Sequence, residues 1–190
     1  MLKYFAFLRA INVGGHVVKM DRLRVLFEEL GFANVETFIA SGNVIFDSPS
    51  RSPGALEKKV AAHLQQSLGY PVATFIRSVS ELSAIAAYSP FPKSKKNETD
   101  RLYIGLLAAS PSDEVRKKFL ALSTKLDELH LNGRELYWLC HTPFADSPLS
   151  GTLLEKTLGA ATTLRNVNTF NRLAAKYSVR GADISVKPGA

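Results

Sequence analysis

The sequence predicts an α+β fold made of two related halves, and three observations carry that prediction. Residues 3–76 alternate apolar strands with amphipathic helices in the order β-α-β-β-α-β. A polar, proline-bearing stretch over residues 90–100 interrupts the chain near its middle. Beyond it a strand, a helix and a hairpin signalled by Asn132-Gly133 begin the same order again. The expected architecture is two ferredoxin-like-related subdomains, βαββαβ then βαββαα, without detectable repetition between them.

Each element has its own signal. Residues 3–9 are aromatic and apolar throughout, as in a buried strand. Leu23, Leu26, Phe27 and Leu30 mark one face of a helix from about Met20, and Gly31 stands where a helix ends. Val35 to Ile39 and Val44 to Phe46 read as strands around the tight turn Ser41-Gly42-Asn43. Ser52 and Pro53 start a helix that stops at Gly69, and Val72 to Ile76 make a fourth strand. Ser78 with Glu81 forms a capping box for a short helix to about Tyr88. In the second half, Leu102 to Ala108 is a strand and Ser110-Pro111 opens a helix carrying Val115, Phe119 and Leu122. Strands at about 126–131 and 134–139 flank Asn132-Gly133, and helices follow at about 149–158 and 167–177. Residues 1–78 are thus the first subdomain, 79–100 a connecting helix and basic linker, 101–180 the second subdomain and 181–190 a tail.

The apolar fraction of 46% is enough for a core, and no apolar run approaches the roughly 20 residues that span a bilayer. The start of the chain shows no basic leader or small-residue cleavage site, and a single cysteine, Cys140, rules out an internal disulfide framework. Both point to a cytoplasmic protein without membrane attachment. The net charge of +7 is uneven: residues 51–100 carry seven basic against four acidic side chains, and residues 151–190 six against two. That balance suits phosphate-bearing or nucleic-acid partners, and equally an ordinary solvated basic surface.

The polar residues gather at two places. Phe7-Leu-Arg-Ala-Ile-Asn-Val-Gly-Gly15 runs from a strand into a loop holding Arg9, Asn12, Gly14 and Gly15. Paired glycines let backbone N–H groups approach a ligand, and an arginine at the strand's end is a planar anion donor. In a ferredoxin-like sheet of order 4-1-3-2, the end of the first strand lies beside the start of the third. Arg9 and the Asn12–Gly15 loop should therefore share an edge with Ser41, Gly42 and Asn43. Together they offer a guanidinium, two amides, a hydroxyl and several N–H groups, a set suited to carboxylate or phosphate oxygens. Equally, Asn12, Ser41 and Asn43 do no more than satisfy turn backbones. The second place is Thr162-Thr-Leu-Arg-Asn-Val-Asn-Thr169, where Arg165 adjoins a helix start capped by Asn166 or Asn168. Ordinary capping, with Arg165 in a salt bridge, accounts for it as well.

LRAINVGG with Met20 and Leu23, GFANVETFIASGNVIF, GRELYWL and TTLRNVNTFNRL, in this order and spacing, resemble an uncharacterised bacterial family catalogued as domain of unknown function 1697. The resemblance spans nearly the whole chain. It implies two α+β subdomains of ferredoxin-like character and no particular activity. Two positions depart from the family pattern: Ala10 stands where glycine is usual, and Val167 where tryptophan is common.

Other chemistries lack their residues. There is no P-loop and no GxGxxG fingerprint. His16, His63, His130 and His141 show no metal spacing, so neither a metal nor a cofactor is expected. Cys140-His141 would need a bend to act as a nucleophile and base, because neighbours on a strand point to opposite faces. His16 stands at the mouth of the glycine loop, where it either relays protons or is simply exposed. Tyr4, Phe5, Phe7 and Phe46 lack the RNA-binding run of such sheets and read as packing. Of Tyr137 and Trp138, one is expected on an open face.

The leading expectation is a protein binding an anionic, phosphate- or carboxylate-bearing small molecule at the edge of strands one and three. A nucleic-acid module using the basic linker and tail, or an interaction domain without ligand, are the alternatives. Whether the chain is an enzyme stays open, because no convincing nucleophile is present.

Overall fold

The computed structural model of the chain describes residues 1–12, 15–39, 42–92 and 100–177. The basic run 93–99 and residues 178–190, which take in the tail, lie outside the described residues.

Strands β1 (Leu2–Leu8), β2 (Ala33–Thr37), β3 (Asn43–Ser48) and β4 (Thr74–Ser78) form one antiparallel sheet in the order β2-β3-β1-β4. Helices α1 (Met20–Glu28) and α2 (Pro53–Leu68) cover one face of it. Helix α3 (Val79–Ala87) follows β4 directly, and the Ser78–Glu81 capping box at its start is formed in both directions. The second half holds β5 (Arg101–Leu106), α4 (Asp113–Leu120), β6 (Asp127–Asn132), β7 (Glu135–Cys140), α5 (Gly151–Leu158), β8 (Thr163–Asn166) and α6 (Val167–Tyr177). Its sheet runs β6-β7-β5-β8, the same order as the first. The α+β class with two ferredoxin-like subdomains therefore holds.

Three details differ from the sequence reading. A last strand, β8, stands between α5 and α6 and completes the second βαββαβ unit. Helix α4 is capped by Ser112, whose side chain accepts from the Val115 N–H, and not by Ser110. The β6–β7 loop is Gly133-Arg134, with Asn132 paired to Glu135. Gly133 alone takes the left-handed φ there, +58°, at the first loop position.

Alternation along the strands divides the apolar side chains among three layers. On β1, Tyr4, Ala6 and Leu8 face α1 and α2, while Phe5 and Phe7 face the other half. On β7, Leu136, Trp138 and Cys140 face α4 and α5, while Tyr137 and Leu139 face inward. The middle layer lies between the sheets, where α3 and α6 insert, and Phe170 stacks on Phe7 at 5.2 Å. Both sheets are thus covered on both faces, which is why β1 reads as a continuous apolar run. Tyr137 and Trp138 do point to opposite faces, yet both are fully buried. Tyr4, Phe5, Phe7 and Phe46 are buried as well, so none is open to stack a base.

Polar joints reinforce the middle layer. Arg77 of β4 is wholly buried and donates to the Glu135 carboxylate at 2.9 Å and to the Leu107 carbonyl at 2.9 Å. Arg134 reaches Glu81 at 2.6 Å from the opposite side. His141 lies between two carboxylates, with Nδ1 3.0 Å from Asp100 and Nε2 3.1 Å from Glu128. Burial disfavours the charged ring, but the hydrogen bonds to Glu128 and Asp100 outweigh it and raise the His141 pKa. A raised folded pKa gives stability that is complete below the unfolded value of about 6.5 and is lost as pH climbs through the folded value. In thermal melts from acid to alkaline pH, wild type should therefore exceed His141→Gln most on the acid side, with the gap narrowing above about pH 6.5. A gap that widens with pH contradicts the imidazolium clamp.

Candidate functional site

The strand order sets the two predicted turns side by side. Phe7 of β1 is opposite Asn43 of β3, and the Leu8 N–H donates to the Gly42 carbonyl at 2.8 Å. Gly42, at φ +73°, packs so closely on the first loop that a Cβ there would meet the Ile11 side chain at 2.7 Å. Only glycine fits that contact and that φ together. Gly14 and Ser41 lie outside the described residues. Gly15, at φ +86°, is exposed with open space around it.

The polar side chains at this edge have partners within the chain. Asn12 accepts the Val18 N–H at 2.7 Å and so closes its own loop. Asn43 is buried and donates to the Phe38 carbonyl at 3.0 Å, while its Oδ1 accepts from Arg165 Nε at 2.9 Å. Arg9, expected to be available to a guest, is held by Glu155 of α5: Nε and Nη2 donate to the two carboxylate oxygens at 2.6 and 2.7 Å. Glu155 is itself fixed by the Thr162 N–H at 2.8 Å. The Arg9 side chain nevertheless remains 42% exposed, so this fork-on-fork pair faces solvent.

Arg165 brings the second predicted cluster to the same place. From β8 its Nη2 donates to the Leu8 carbonyl at 2.8 Å, and its Nη1 to Thr163 Oγ1 at 2.8 Å and the Leu164 carbonyl at 2.9 Å. Burial lowers its pKa to about 10, which still leaves it charged at neutral pH. Two guanidiniums thus converge on the end of β1 and the start of β3, one half-exposed and one partly buried.

Asn166 and Asn168 do not join this edge. Asn166 is the N-cap of α6, accepting the Asn168 N–H at 2.9 Å. Both line a separate groove of about 400 Å³, together with Tyr88, Arg101 and Asn171. A larger cavity of about 770 Å³, lined by Leu2, Tyr4, Arg51 and Ser80 among others, contains none of the predicted residues.

Backbone conformation sets the edge apart. Among the described residues, Ala10, Asn34 and Ile39 are the non-glycine residues with positive φ, and Ala10 (+56°) and Ile39 (+52°) both flank these turns. Left-handed backbone is costly for a residue with a Cβ, and most so for a branched one. Such strain gathers where a fold holds a loop for function.

The remaining candidates have structural roles. Cys140 is buried, and its thiol pKa is pushed up to about 12 by burial and by Asp127. It is therefore a neutral core group on the face away from His141. His16 is exposed and stacks on Tyr70 at 3.9 Å. Among the described residues no cluster of three or more His, Cys, Asp or Glu side chains is placed to hold a metal, and no helix is long and apolar enough to cross a membrane. Glu155 also belongs to the edge, and the sequence alone does not point to it, since no local spacing ties residue 155 to residue 9.

A family model described as "Protein of unknown function (DUF1697)" matches residues 1–137, which takes in Arg9 and Asn43 and stops before Glu155 and Arg165. No curated protein matches the chain. Among solved structures, the chain is similar to the conserved bacterial protein SP0830 from Streptococcus pneumoniae, at 22% identity and a TM-score of 0.67. That similarity covers 92% of this chain and 97% of the other, and at this identity it speaks for the fold alone.

Ala10 occupies its left-handed position with a Cβ, at the site where the family resemblance places glycine. Ala10→Gly should raise stability by about 1 kcal/mol, the relief of strain exceeding glycine's greater unfolded-state entropy. Urea denaturation checks this, and a loss of stability contradicts the strained backbone.

Proposed function

The chain belongs to the DUF1697 family, and we propose that it binds an anionic small molecule, bearing phosphate or carboxylate, at the edge of β1 and β3. The ligand takes the place of Glu155 on Arg9. The observation that carries this reading is the solvent-facing bidentate pair, in which a carboxylate already occupies the planar donor edge of a 42% exposed arginine. Half-exposed ion pairs contribute only about 0.2–1 kcal/mol, so a free oxyanion has little to displace. The left-handed Ala10 and Ile39 and the partly buried charge of Arg165 support a loop held for recognition. Oxyanion stabilisation is the chemistry such donors offer, and any reaction here would be transfer or hydrolysis at a phosphoryl or carboxyl group.

The same pair favours a second reading, an interaction domain without ligand in which Glu155 is a permanent strut between halves. The Thr162 N–H that fixes Glu155 speaks for it. A nucleic-acid partner would rely on the basic run 93–99 and the tail, outside the described residues.

Thermal shift and calorimetry with inorganic phosphate and citrate separate the first two readings. Under the ligand reading, Glu155→Gln removes the internal competitor and binds the anion more tightly than wild type, by up to about fivefold, while Arg9→Ala abolishes the response. If Glu155→Gln only lowers the melting temperature and neither anion binds any of the three proteins, the strut reading stands.

A further inference from the structure

At the opposite end of β1 from that edge, an open cavity of about 770 Å³ lies across the strand's start, between the beginnings of α2 and α3. Its size is ordinary for a small-molecule site. Leu2 and Tyr4 of β1, Pro53 of α2 and Val79 of α3 give it an apolar floor. Leu2 and Tyr4 share one face of the strand. From Tyr4 onward that face is covered by α1 and α2, whereas Leu2 stays 47% exposed. A guest can therefore reach apolar surface here without moving any element of the fold.

The charged groups around the cavity are committed, with one exception. Lys3 donates to Asp47 at 2.8 Å. Glu81 gives one carboxylate oxygen to Arg134 at 2.6 Å and the other to the Ser78 N–H at 2.8 Å. The Tyr4 phenol donates to the Ser50 carbonyl at 2.7 Å. Arg51 is the exception: it is exposed, and among the described residues neither a hydrogen bond nor an ion pair holds its guanidinium. The Ser83 hydroxyl, which also lines the cavity from α3, has no partner among them either. Helix α2 carries no acidic side chain in its first turn, so its partial positive end adds to the field of Arg51. The pairs cancel and leave a single uncompensated positive charge beside exposed apolar surface. That combination fits a monoanion with an apolar body. A bare oxyanion would leave the floor uncovered, and a neutral apolar molecule would leave the guanidinium unused.

We propose that this cavity binds an amphipathic monocarboxylate, a medium-chain or aryl-bearing acid, with its carboxylate on Arg51 and its carbon body on Leu2, Pro53 and Val79. The site is separate from the anion edge and shares no residue with it.

The test is calorimetry and chemical-shift NMR on the full chain with octanoate, with octanol and acetate as comparators that each lack one half of the ligand. Wild type should bind octanoate more tightly than either comparator. Arg51→Ala should weaken octanoate about threefold to fivefold, the range of a solvent-exposed ion pair, and leave octanol unchanged. Leu2→Ser should weaken octanoate and octanol together. Both substitutions are at exposed positions, so the fold should be retained. Arg9→Ala should leave octanoate binding as it is in wild type, whether or not it abolishes the phosphate response. Absence of octanoate binding, equal binding by Arg51→Ala, or acetate or octanol binding as tightly as octanoate overturns the proposal. So does loss of octanoate binding in Arg9→Ala, which would put the acid at the other end of β1.

Discussion

The guanidinium of Arg165 is the constraint on which the arrangement of this molecule depends. It leaves the last strand of the second sheet and donates to the backbone at the end of the first strand of the first sheet. It also donates to the side chain of Asn43, the residue that opens β3. Taking a guanidinium out of water is costly, and its pKa falls to about 10 as a result. That cost is offset only if the acceptors stand at fixed positions, because each N–H left without one adds to it. The two halves must therefore meet in one register. The middle apolar layer supplies the bulk of the attraction, but apolar contact is non-directional and would tolerate other alignments. The polar joint selects among them.

The same edge explains why site and joint are hard to separate here. Arg9 and Arg165 both reach across the boundary, one to Glu155 and one from β8. Both turns carry left-handed residues with side chains, and Gly42 is pressed against Ile11. A loop strained in this way is over-determined by its surroundings. The proposed ligand and the internal carboxylate compete for one planar donor, so binding and the coupling between halves share a single contact.

Much of the fold could be read from local signals. The Ser52-Pro53 start and Gly69 stop of α2 are found as read, and so is the Ser78–Glu81 capping box, because caps are set by chemistry within four residues. The strand order followed from the βαββαβ pattern, and with it the meeting of the Arg9 and Gly42 turns. Strand β8 escaped notice because it has four residues, and its polar Arg165 and Asn166 face a joint and a cap rather than a core. The partners of Arg9 were out of reach for a different reason. Glu155 lies on another subdomain, and how two halves dock depends on surface shape that no periodicity records. The expectation that one of Tyr137 and Trp138 lies on an open face fails for the same reason, since both are buried and the helix over Tyr137 comes from the connection between the halves.

The most direct measurement of the coupling claim is equilibrium urea unfolding of wild type and Arg165→Ala, followed by two signals. Trp138, the only tryptophan in the chain, reports the second sheet by fluorescence, and far-ultraviolet circular dichroism reports both halves. If Arg165 couples the halves, the two wild-type curves coincide, while in Arg165→Ala stability falls by about 3 kcal/mol or the curves separate. Coincident curves with a midpoint shift worth less than about 0.5 kcal/mol would contradict the account.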